Sequence, residues 1–283
     1  MRVDLHIHTT ASDGCWTPEE VVAGVQAEGI GLFAVTDHDT VGNVLATEAL
    51  AQEAGLAFLR GVEISTTADG HLFHILGYGI DPTDAQLLAA LKKNQDKLES
   101  TDDHDIRQLI ALGYDIEYDD YLAYDYDRRR GGFKSLRFLI DRGICADVGD
   151  FFNTIRAQLN HHWPNFIHPR AAVRLIQAAD GVAVLAHPGA SLEPVGGVRV
   201  ETLAPFLDYG IEGVECHSQY HDATTTQRCV NWCREHDLLI TGGSDYHGGF
   251  VHRELGKPVV ALEDLHLGKL TPQLSSVQTP SAV

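Results

Sequence analysis

The chain has 283 residues, 44% of them hydrophobic, which is typical of one large globular domain with a sizeable core. Its formal net charge of −19 disfavours long nucleic acids as partners, because most of such a surface repels polyanions. There is no apolar leader and no stretch that approaches 18 apolar residues, and five cysteines are scattered without a pairing pattern, so we expect a cytoplasmic protein with reduced thiols.

Short apolar runs alternate with amphipathic stretches along most of the chain. The apolar runs predict seven strands, at 3–8, 31–38, 57–65, 72–80, 181–188, 210–217 and 238–245. Helical periodicity between them predicts helices at about 18–28, 43–54, 199–209 and 222–236. Thr17 and Glu20 form a capping-box pattern before the first helix. The alternation indicates an α/β fold with a parallel sheet, open or closed into a barrel, in which the third and fourth strands form a hairpin.

Residues 84–176 break this alternation. They are polar, rich in charge and mainly helical in periodicity, with many acidic residues and tyrosines at 115–132. We interpret 97–170 as a helical insertion that covers the mouth of the barrel as a substrate cap. Residues 1–96 and 171–270 would then form a discontinuous barrel domain, and 271–283 a disordered tail.

Potential metal ligands lie at or near the ends of all seven predicted strands. They are His6 and His8, Asp37 and His38, Glu63, His74, His187, His217, and Asp245 with His247. In a (β/α) barrel the C-terminal strand ends converge on one face, so these side chains would meet in space. The spacing of His6 and His8 also directs both to one side of their strand. A single histidine after a strand is more often a packed residue, but seven such placements together indicate a metal centre.

The motifs at these positions resemble those of the polymerase and histidinol phosphatase family, a branch near the amidohydrolases. The segments that stand in that family's order are DLHIHTTASDG (4–14), AVTDHDT (34–40), GVEIS (61–65), HILGY (74–78), AHPG (186–189) and GSDYH (243–247). The resemblance covers the chain apart from the insertion and the tail. It is strongest to the branch that acts on nucleoside 3′,5′-bisphosphates and short oligonucleotides, and the helical insertion between HILGY and AHPG points the same way.

The resemblance implies a distorted seven-stranded (β/α) barrel, with the helical insertion over its C-terminal face, that binds two or three divalent ions. Carried over to this sequence, it implies a first site of His6, His8, Glu63 and Asp245, a second of Asp13, His38 and His247, and a third of Glu63, His74 and His187, bridged to the first by Glu63. Asp37 would orient a ligand histidine. His217 and His221 have no fixed place in this scheme, and we keep His221 as a candidate substrate contact.

The ligand types limit the metal and the chemistry. Imidazole and carboxylate without cysteine suit Mn²⁺, Fe²⁺ or Zn²⁺, of which we favour Mn²⁺. A water that bridges two such ions loses a proton near pH ~7 and becomes a nucleophile. The ions also explain how a protein of charge −19 can bind a phosphate. The residues alone leave amide hydrolysis open, whereas the resemblance and a basic cluster favour a phosphoester.

The basic cluster lies in the insertion. It contains Arg128, Arg129, Arg130, Lys134, Arg137 and Arg142. Lys134 and Arg137 share one face of a predicted helix, and Ser135 with the backbone around 131–132 could add donors at its N-terminus. One interpretation is a clamp for the phosphate that is not cleaved, with Arg129 and Arg130 as further members. The other is a solvated basic face that balances the acidic residues before it.

Two departures from the branch bear on the substrate. Lys134 stands where relatives commonly carry His, and Gly132 takes the place of the Arg before it. Residues 100–103 are polar or acidic where relatives often carry arginines. A track for long RNA is therefore disfavoured, and a mononucleotide bisphosphate is expected.

The leading hypothesis is a phosphomonoesterase that hydrolyses the 3′-phosphate of nucleoside 3′,5′-bisphosphates, with the 5′-phosphate held by the insertion. Other substrates of the same chemistry stay open, namely a histidinol-phosphate-like ester or a short oligonucleotide degraded in the 5′-3′ direction. A non-catalytic, metal-stabilised module that serves a partner protein is the third hypothesis. We expect a small nucleotide substrate, no long nucleic acid, no membrane and no obligate protein partner.

Overall fold

Eight strands lie side by side in one sheet in the computed structural model, which describes residues 1–159 and 161–271. In chain order they are β1 (Arg2–Asp4), β2 (Ile30–Val35), β3 (Ala57–Ala68), β4 (His71–Tyr78), β5 (Val182–Leu185), β6 (Gly213–Ser218), β7 (Leu239–Gly243) and β8 (Val260–Ala261). All seven predicted strands are present. Most strand positions are buried, which fits near-continuous apolar runs in a sheet that is covered on both faces.

The sheet closes into a barrel. Its spatial order is β7-β6-β5-β4-β3-β2-β1-β8. Pairing is parallel from β1 to β3 and from β5 to β7, whereas β4 is antiparallel to both neighbours, as expected for a β3–β4 hairpin. Leu5 N–H donates to the Gly242 carbonyl at 3.1 Å, which joins β1 to β7. The prediction of an α/β barrel is therefore confirmed, with the short antiparallel β8 added beside β1.

Helices cover the outside of the barrel and build most of the insertion. They are α1 (Pro18–Ala27), α2 (Val44–Glu53), α3 (Ala85–Ala111), α4 (Tyr118–Ala123), α5 (Lys134–Asp141), α6 (Val148–Asp150), α7 (Pro169–Ala178), α8 (Pro188–Ser191), α9 (Val200–Tyr209) and α10 (Ala223–Glu235). The Thr17–Glu20 capping box at the start of α1 is confirmed. Helices α1 and α2 pack on β2 and β3, and α7 packs on β4 and β5. The barrel interior holds a separate apolar cluster that includes Val3, Leu32, Leu59, Leu76 and Val184.

The segment between β4 and α7 is mainly helical and has a hydrophobic core of its own. This core includes Ile106, Leu109, Leu136, Phe138 and Phe151. The predicted domain boundary at 96/97 falls inside α3, which runs without interruption from Ala85 to Ala111. Asn94 in α3 donates to the Ser65 carbonyl at 2.7 Å and to the Asp39 carboxylate at 2.8 Å. The insertion is thus rooted in the barrel through α3.

Two further expectations concern the ends and the surface of the chain. Apart from Thr271, the predicted tail at 271–283 lies outside the described residues. Among the described helices, none combines the length and the apolar character that a membrane span requires.

Candidate metal centre

The C-terminal strand ends and the loops after them bring nine predicted ligands to one face of the barrel. They form three groups of potential ligand atoms: His6, His8, Glu63 and Asp245; His8, Asp13, His38 and His247; and His38, Glu63 and His74. His187 joins the third group through its Nε2 atom, 2.9 Å from Glu63 Oε1. The chain reaches this geometry partly through left-handed backbone conformations at His187 (φ 25°) and Asp245 (φ 50°).

Glu63 lies at the centre of these groups. Its Oε2 atom is 3.1 Å from His6 Nε2 and 3.2 Å from both His8 Nε2 and His38 Nδ1. Its Oε1 atom is 3.1 Å from His74 Nδ1 and 2.9 Å from His187 Nε2. Each oxygen of this carboxylate therefore faces a different set of histidines, which is the arrangement that a bridging ligand requires. The set around Oε2 includes His38 of the second site beside the two histidines of the first site.

Two aspartates complete the groups. Asp245 Oδ1 is 3.0 Å from His8 Nε2 and 3.3 Å from His6 Nε2. Asp13 Oδ1 is 3.4 Å from His247 Nε2 and 3.7 Å from His8 Nδ1. His8 therefore lies between the first and second groups, a position that the sequence motifs did not specify.

These residues fit divalent ions. Both ring nitrogens of His8, Nδ1 of His38 and Oδ1 of Asp245 are buried and lack a hydrogen-bond partner among the described residues. Buried polar atoms are normally satisfied, so four orphaned atoms aimed at one space indicate a ligand that the protein atoms do not supply. Metal ions would satisfy them, and mixed nitrogen and oxygen donors suit a divalent transition metal.

The electrostatics of the site favour the protonation states in which Glu63, Asp13 and His38 bind metal. Burial alone would raise the pKa of Glu63, but the neighbouring His38 and His6 hold it well below its usual range. The same holds for Asp13, whose pKa is lowered by His247 and His38 against the effect of burial. Burial lowers the pKa of His38 to about 3, despite the attraction of Glu63. Ionised carboxylates and a neutral His38 are the forms in which these groups bind metal.

The pKa of His247 is shifted upward, in contrast to that of His38. Burial would lower its pKa, but the Asp13 and Asp245 carboxylates raise it to about 9. Its Nδ1–H donates to the Asp245 carbonyl at 2.7 Å, which leaves Nε2 directed toward Asp13. A metal ion at the second site would therefore take the place of a proton on His247.

Glu215 is a member of the site that the sequence reasoning missed. Its fully buried carboxylate is 2.9 Å from His6 Nδ1 and accepts the His187 backbone N–H at 2.7 Å. This contact sets His6 Nε2 toward the metal groups. The sequence pattern instead selected His217, which lies beyond an irregularity in the β6–β7 register. An acid inside an otherwise apolar strand was the available signal.

Arg253 and Tyr220 also border the centre without having been predicted. Arg253 Nη1 donates to Asp245 Oδ2 at 2.6 Å, and the Tyr220 hydroxyl donates to the same oxygen at 3.0 Å. Asp245 thus keeps its other oxygen for the histidines. An isolated arginine eight residues after Asp245 carries no recognisable pattern in the sequence.

Asp37 has a different role from the one expected. Its carboxylate accepts hydrogen bonds from the Thr9 N–H and hydroxyl, both at 2.7 Å, and from the Ser12 hydroxyl at 2.6 Å. Asp37 therefore holds the loop that carries Asp13, and the expectation that it orients a ligand histidine is corrected.

Two cavities lie at this end of the molecule. The metal cavity, of about 190 Å³, is lined by His38, His74, His187, Asp13, Asp245, His247, Arg253, Phe133, Val148, Phe152, Phe250 and Val251. The arginine cavity, of about 460 Å³, is lined by Arg129, Arg130, Arg137, Cys15, Trp16, Glu20, Gly248, Gly249 and Phe250. Phe250 is common to both.

The predicted substrate contacts are thus divided. Arg129, Arg130 and Arg137 face the arginine cavity, whereas Lys134 Nζ donates to the Leu122 carbonyl at 3.0 Å and lies outside its lining. Ser135 is buried within the insertion. His221 is held between two backbone groups, with Nδ1 2.9 Å from the Cys216 carbonyl and Nε2 accepting the Gly189 N–H at 2.9 Å. The roles of these residues toward a substrate stay predictions.

Comparison with known proteins gives consistent relatives. The model of a family described as PHP domain matches residues 4–157, more than half of the chain. The chain is 32% identical over 278 residues to a 3′,5′-nucleoside bisphosphate phosphatase of Chromobacterium violaceum, covering 93% of this chain and 92% of that protein. It is 30% identical over 262 residues to a 5′-3′ exoribonuclease of Haemophilus influenzae, covering 90% and 93%.

A solved structure from Bifidobacterium adolescentis, described as a metal-dependent phosphoesterase, has the same fold. It superposes with a TM-score of 0.82 at 23% identity, and the match covers 98% of this chain and 96% of that one. The likeness therefore extends over the insertion as well as the barrel.

Proposed function

Because this chain belongs to the PHP domain family of metal-dependent phosphoesterases, we propose that it removes the 3′-phosphate from nucleoside 3′,5′-bisphosphates. The observation that carries the proposal is the arginine cavity beside the metal cavity, since a bisphosphate needs two anion sites. Phe250 lines both cavities, so the two sites are neighbours. The identity to a nucleoside bisphosphate phosphatase supports this substrate class.

In this proposal the 3′-phosphate binds at the metal centre. Divalent ions, when bound there, supply a nucleophile at neutral pH and neutralise charge on the phosphoryl group. The protein's own contribution is to keep the ligands in place. Glu215 fixes the ring of His6, while Arg253 and Tyr220 hold one oxygen of Asp245. Such prior arrangement reduces the reorganisation that the reaction needs.

Mn²⁺ is the metal that we propose, with Fe²⁺ or Zn²⁺ as alternatives. The support is the donor set, in which imidazole and carboxylate groups stand without a thiolate. Reconstitution of metal-depleted protein with each ion, followed by measurement of kcat, tests this choice. Activity that is highest with another ion would replace Mn²⁺ in the proposal.

The 5′-phosphate would bind in the arginine cavity. Two of its arginines already face carboxylates: Arg130 Nη1 is 2.8 Å from Asp141 Oδ2, and Arg129 pairs with Glu20. The third, Arg137, donates to the Gly131 carbonyl through Nε at 2.7 Å and to the Arg130 carbonyl through Nη2. The two ion pairs are at least partly exposed to solvent, and exposed ion pairs contribute little to stability. A phosphate can therefore replace some of these contacts at a modest cost in free energy.

A paired-substrate experiment tests this assignment. Arg137→Ala removes one charge-assisted contact of roughly 1.5–3 kcal/mol, so kcat/KM for a 3′,5′-bisphosphate should fall about 10- to 150-fold. The same variant should hardly change kcat/KM for the 3′-monophosphate, which has no second phosphate. Lys134→Ala is the matched control, because it removes a positive charge from the same helix outside the cavity lining.

The outcomes separate the two interpretations of the basic cluster. Equal losses on both substrates would refute the clamp and favour a solvated basic face, while leaving the phosphoesterase assignment untouched. A selective loss with Lys134→Ala but not with Arg137→Ala would move the 5′-phosphate to Lys134. Because each variant is compared on two substrates, a general loss of folded protein cannot imitate the expected result.

Exonuclease activity on short oligonucleotides is the second candidate, supported by the 30% identity to the exoribonuclease of Haemophilus influenzae. A series of 5′-phosphorylated oligonucleotides of increasing length tests it. A kcat/KM that rises with length would favour the exonuclease, and one that is highest for the mononucleotide would favour the bisphosphatase. Histidinol phosphate belongs in the same panel, and inactivity on all compounds would favour the non-catalytic module.

The proposal also includes the setting of the reaction. The substrate is a free small nucleotide, and neither a long nucleic acid, a membrane nor an obligate protein partner takes part. A net charge of −19 supports the exclusion of long polyanions. We place the protein in the cytoplasm, which fractionation of the source cells would test.

A further inference from the structure

Phe152 projects from the insertion into the lining of the metal cavity. It lies in a π-helical turn, Phe151–Ile155, closed by a hydrogen bond from Arg156 N–H to the Phe151 carbonyl. Phe151 is 2% exposed and belongs to the core of the insertion, whereas its neighbour Phe152 is 40% exposed. Short π-helical turns occur frequently at functional sites. This turn directs one phenylalanine inward and the next toward the metal centre.

The ring of Phe152 packs against three other side chains of the insertion. It contacts Phe151 edge to face, with ring centroids 5.1 Å apart, and Phe133 at 6.4 Å. The Arg156 guanidinium carbon is 5.2 Å from the ring centroids of both Phe151 and Phe152. Arg156 is itself 6% exposed and is fixed by Asp105, 3.4 Å from its Nε, and Asp102, 3.8 Å from Nη2. A ring restrained in this way loses little side-chain entropy when a ligand stacks on it.

The cavity that Phe152 borders contains two chemically different parts. Its lining includes Asp13, His38 and Asp245 of the metal centre, and it also includes three aromatic side chains, Phe133, Phe152 and Phe250. A nucleotide combines the same two features, because its phosphate is anionic and its base is a flat aromatic ring. Aromatic side chains beside a phosphate site are the usual means of binding bases by stacking.

We propose that Phe152, braced by Arg156, is the stacking platform for the nucleobase of the substrate. This inference rests on the proposed function and adds the residue that recognises the base. Stacking does not read the hydrogen-bonding edge of a base. The enzyme therefore accepts all four common bases with similar kcat/KM and prefers purines slightly, since their larger rings overlap more with Phe152.

A base-deletion experiment tests the platform. Wild type and Phe152→Ala are compared on a nucleoside 3′,5′-bisphosphate and on 1-deoxyribose 3,5-bisphosphate, which has both phosphates but no base. Loss of one stacked base corresponds to about 5- to 150-fold in kcat/KM. Phe152→Ala should show this loss on the nucleotide and almost none on the base-free compound. Phe152→Trp should keep the wild-type value within about threefold, and Phe152→Leu, which is apolar but has no ring, should resemble Phe152→Ala.

Controls keep a structural effect apart from a stacking effect. Leu112→Ala removes another exposed apolar side chain of the insertion, 58% exposed, and should change neither substrate. Arg156→Lys keeps the charge but lacks the planar group that covers Phe152, so KM for the nucleotide should rise while kcat/KM for the base-free compound stays constant.

The results also distinguish this inference from the proposed function. Equal effects of Phe152→Ala on both compounds, with both hydrolysed by wild type, would overturn the platform alone. If wild type hydrolyses neither compound, the bisphosphatase proposal fails and the platform fails with it.

Discussion

Glu63 is the residue on which the metal centre depends most, because its two oxygens lie within 3.2 Å of five histidine nitrogens. We predict that Glu63→Ala lowers kcat more than 100-fold and more than His74→Ala does. The alanine removes ligand atoms from two groups at once, whereas His74 belongs to one. Steady-state kinetics with elemental analysis of both variants checks this. A Glu63→Ala protein that keeps more than a tenth of the wild-type rate would contradict the bridging role.

Glu215 should matter although it lies outside the three groups. Glu215→Gln keeps the shape of the side chain but removes the charge opposite His6 Nδ1, so metal affinity should fall about 10- to 100-fold. Equilibrium dialysis of the metal-depleted protein against Mn²⁺ measures this directly. Glu235→Gln, an exposed residue at the end of α10, is the control. Equal affinities for both variants and wild type would remove Glu215 from the site.

The residues of the centre differ in how far the sequence could predict them. The side chains around Glu63 were predicted because ligand-type residues at strand ends form a pattern that needs no coordinates. Their binding of ions stays a prediction. Glu215 and Arg253 were missed for physical reasons. The first reaches His6 across the barrel, 209 residues away in the chain, and the second acts through one carboxylate oxygen of Asp245.

At the scale of elements, helix α3 carries an acid whose charge the fold disfavours. Burial raises the pKa of Asp102 from 3.8 to about 7, although Arg156 opposes the shift. The folded state therefore binds more protons than the unfolded state between those values, and stability should fall as pH rises from about 4 to about 7. Above pH 7 this contribution should be constant.

Asp102→Asn tests this prediction, because asparagine stays neutral. The difference in Tm between variant and wild type should grow from pH 4.5 to 7.5 and then level off. The raised pKa of Asp102 corresponds to a change of at most roughly 4 kcal/mol in the free energy of unfolding, because each pKa unit is worth about 1.4 kcal/mol. Thermal unfolding over a pH series measures it, with the exposed Asp119→Asn as a control for loss of a negative charge. A difference that shrinks as pH rises would contradict the raised pKa.

The elements themselves show where sequence patterns fall short. The first predicted strand extends to His8, but β1 ends at Asp4. After Asp4 the backbone forms hydrogen bonds alternately to the chain on either side of it. Leu5 N–H donates to the Gly242 carbonyl, the Ile7 carbonyl accepts from Thr36 N–H, and His8 N–H donates to the Tyr246 carbonyl. These partners lie far away in the chain and leave no local trace. By contrast, α3 contains neither glycine nor proline, so its continuity past residue 96 was visible in the sequence.

At the scale of the whole molecule, bound metal should couple to folding. Ions that bind only the folded chain add about 2.7 kcal/mol of stability at a concentration of 100 Kd. We predict at least two transition-metal ions per chain, and a Tm that drops by roughly 5 °C or more after chelation, together with complete loss of activity. Elemental analysis and calorimetry check this. Active protein with less than one ion per chain would contradict it.

The complete barrel was only partly predictable from residue patterns. Alternation of strands and helices indicated a parallel sheet but left open whether it closes. Closure depends on contacts such as that of Leu5 with Gly242, which join the first strand to the seventh and leave no trace in the local periodicity of the sequence. The family resemblance supplied the barrel, and the structure confirms it.

Helix α3 has a mechanical consequence. It starts on the barrel, where Asp84 caps it, is fastened there by Asn94, and ends inside the core of the insertion. An unbroken helix of 27 residues is stiff along its axis, so it fixes the distance between the barrel wall at Ser65 and the core of the insertion. A change in the length of α3 would therefore move the whole insertion relative to the barrel, and with it the side chains that the insertion contributes to the metal cavity.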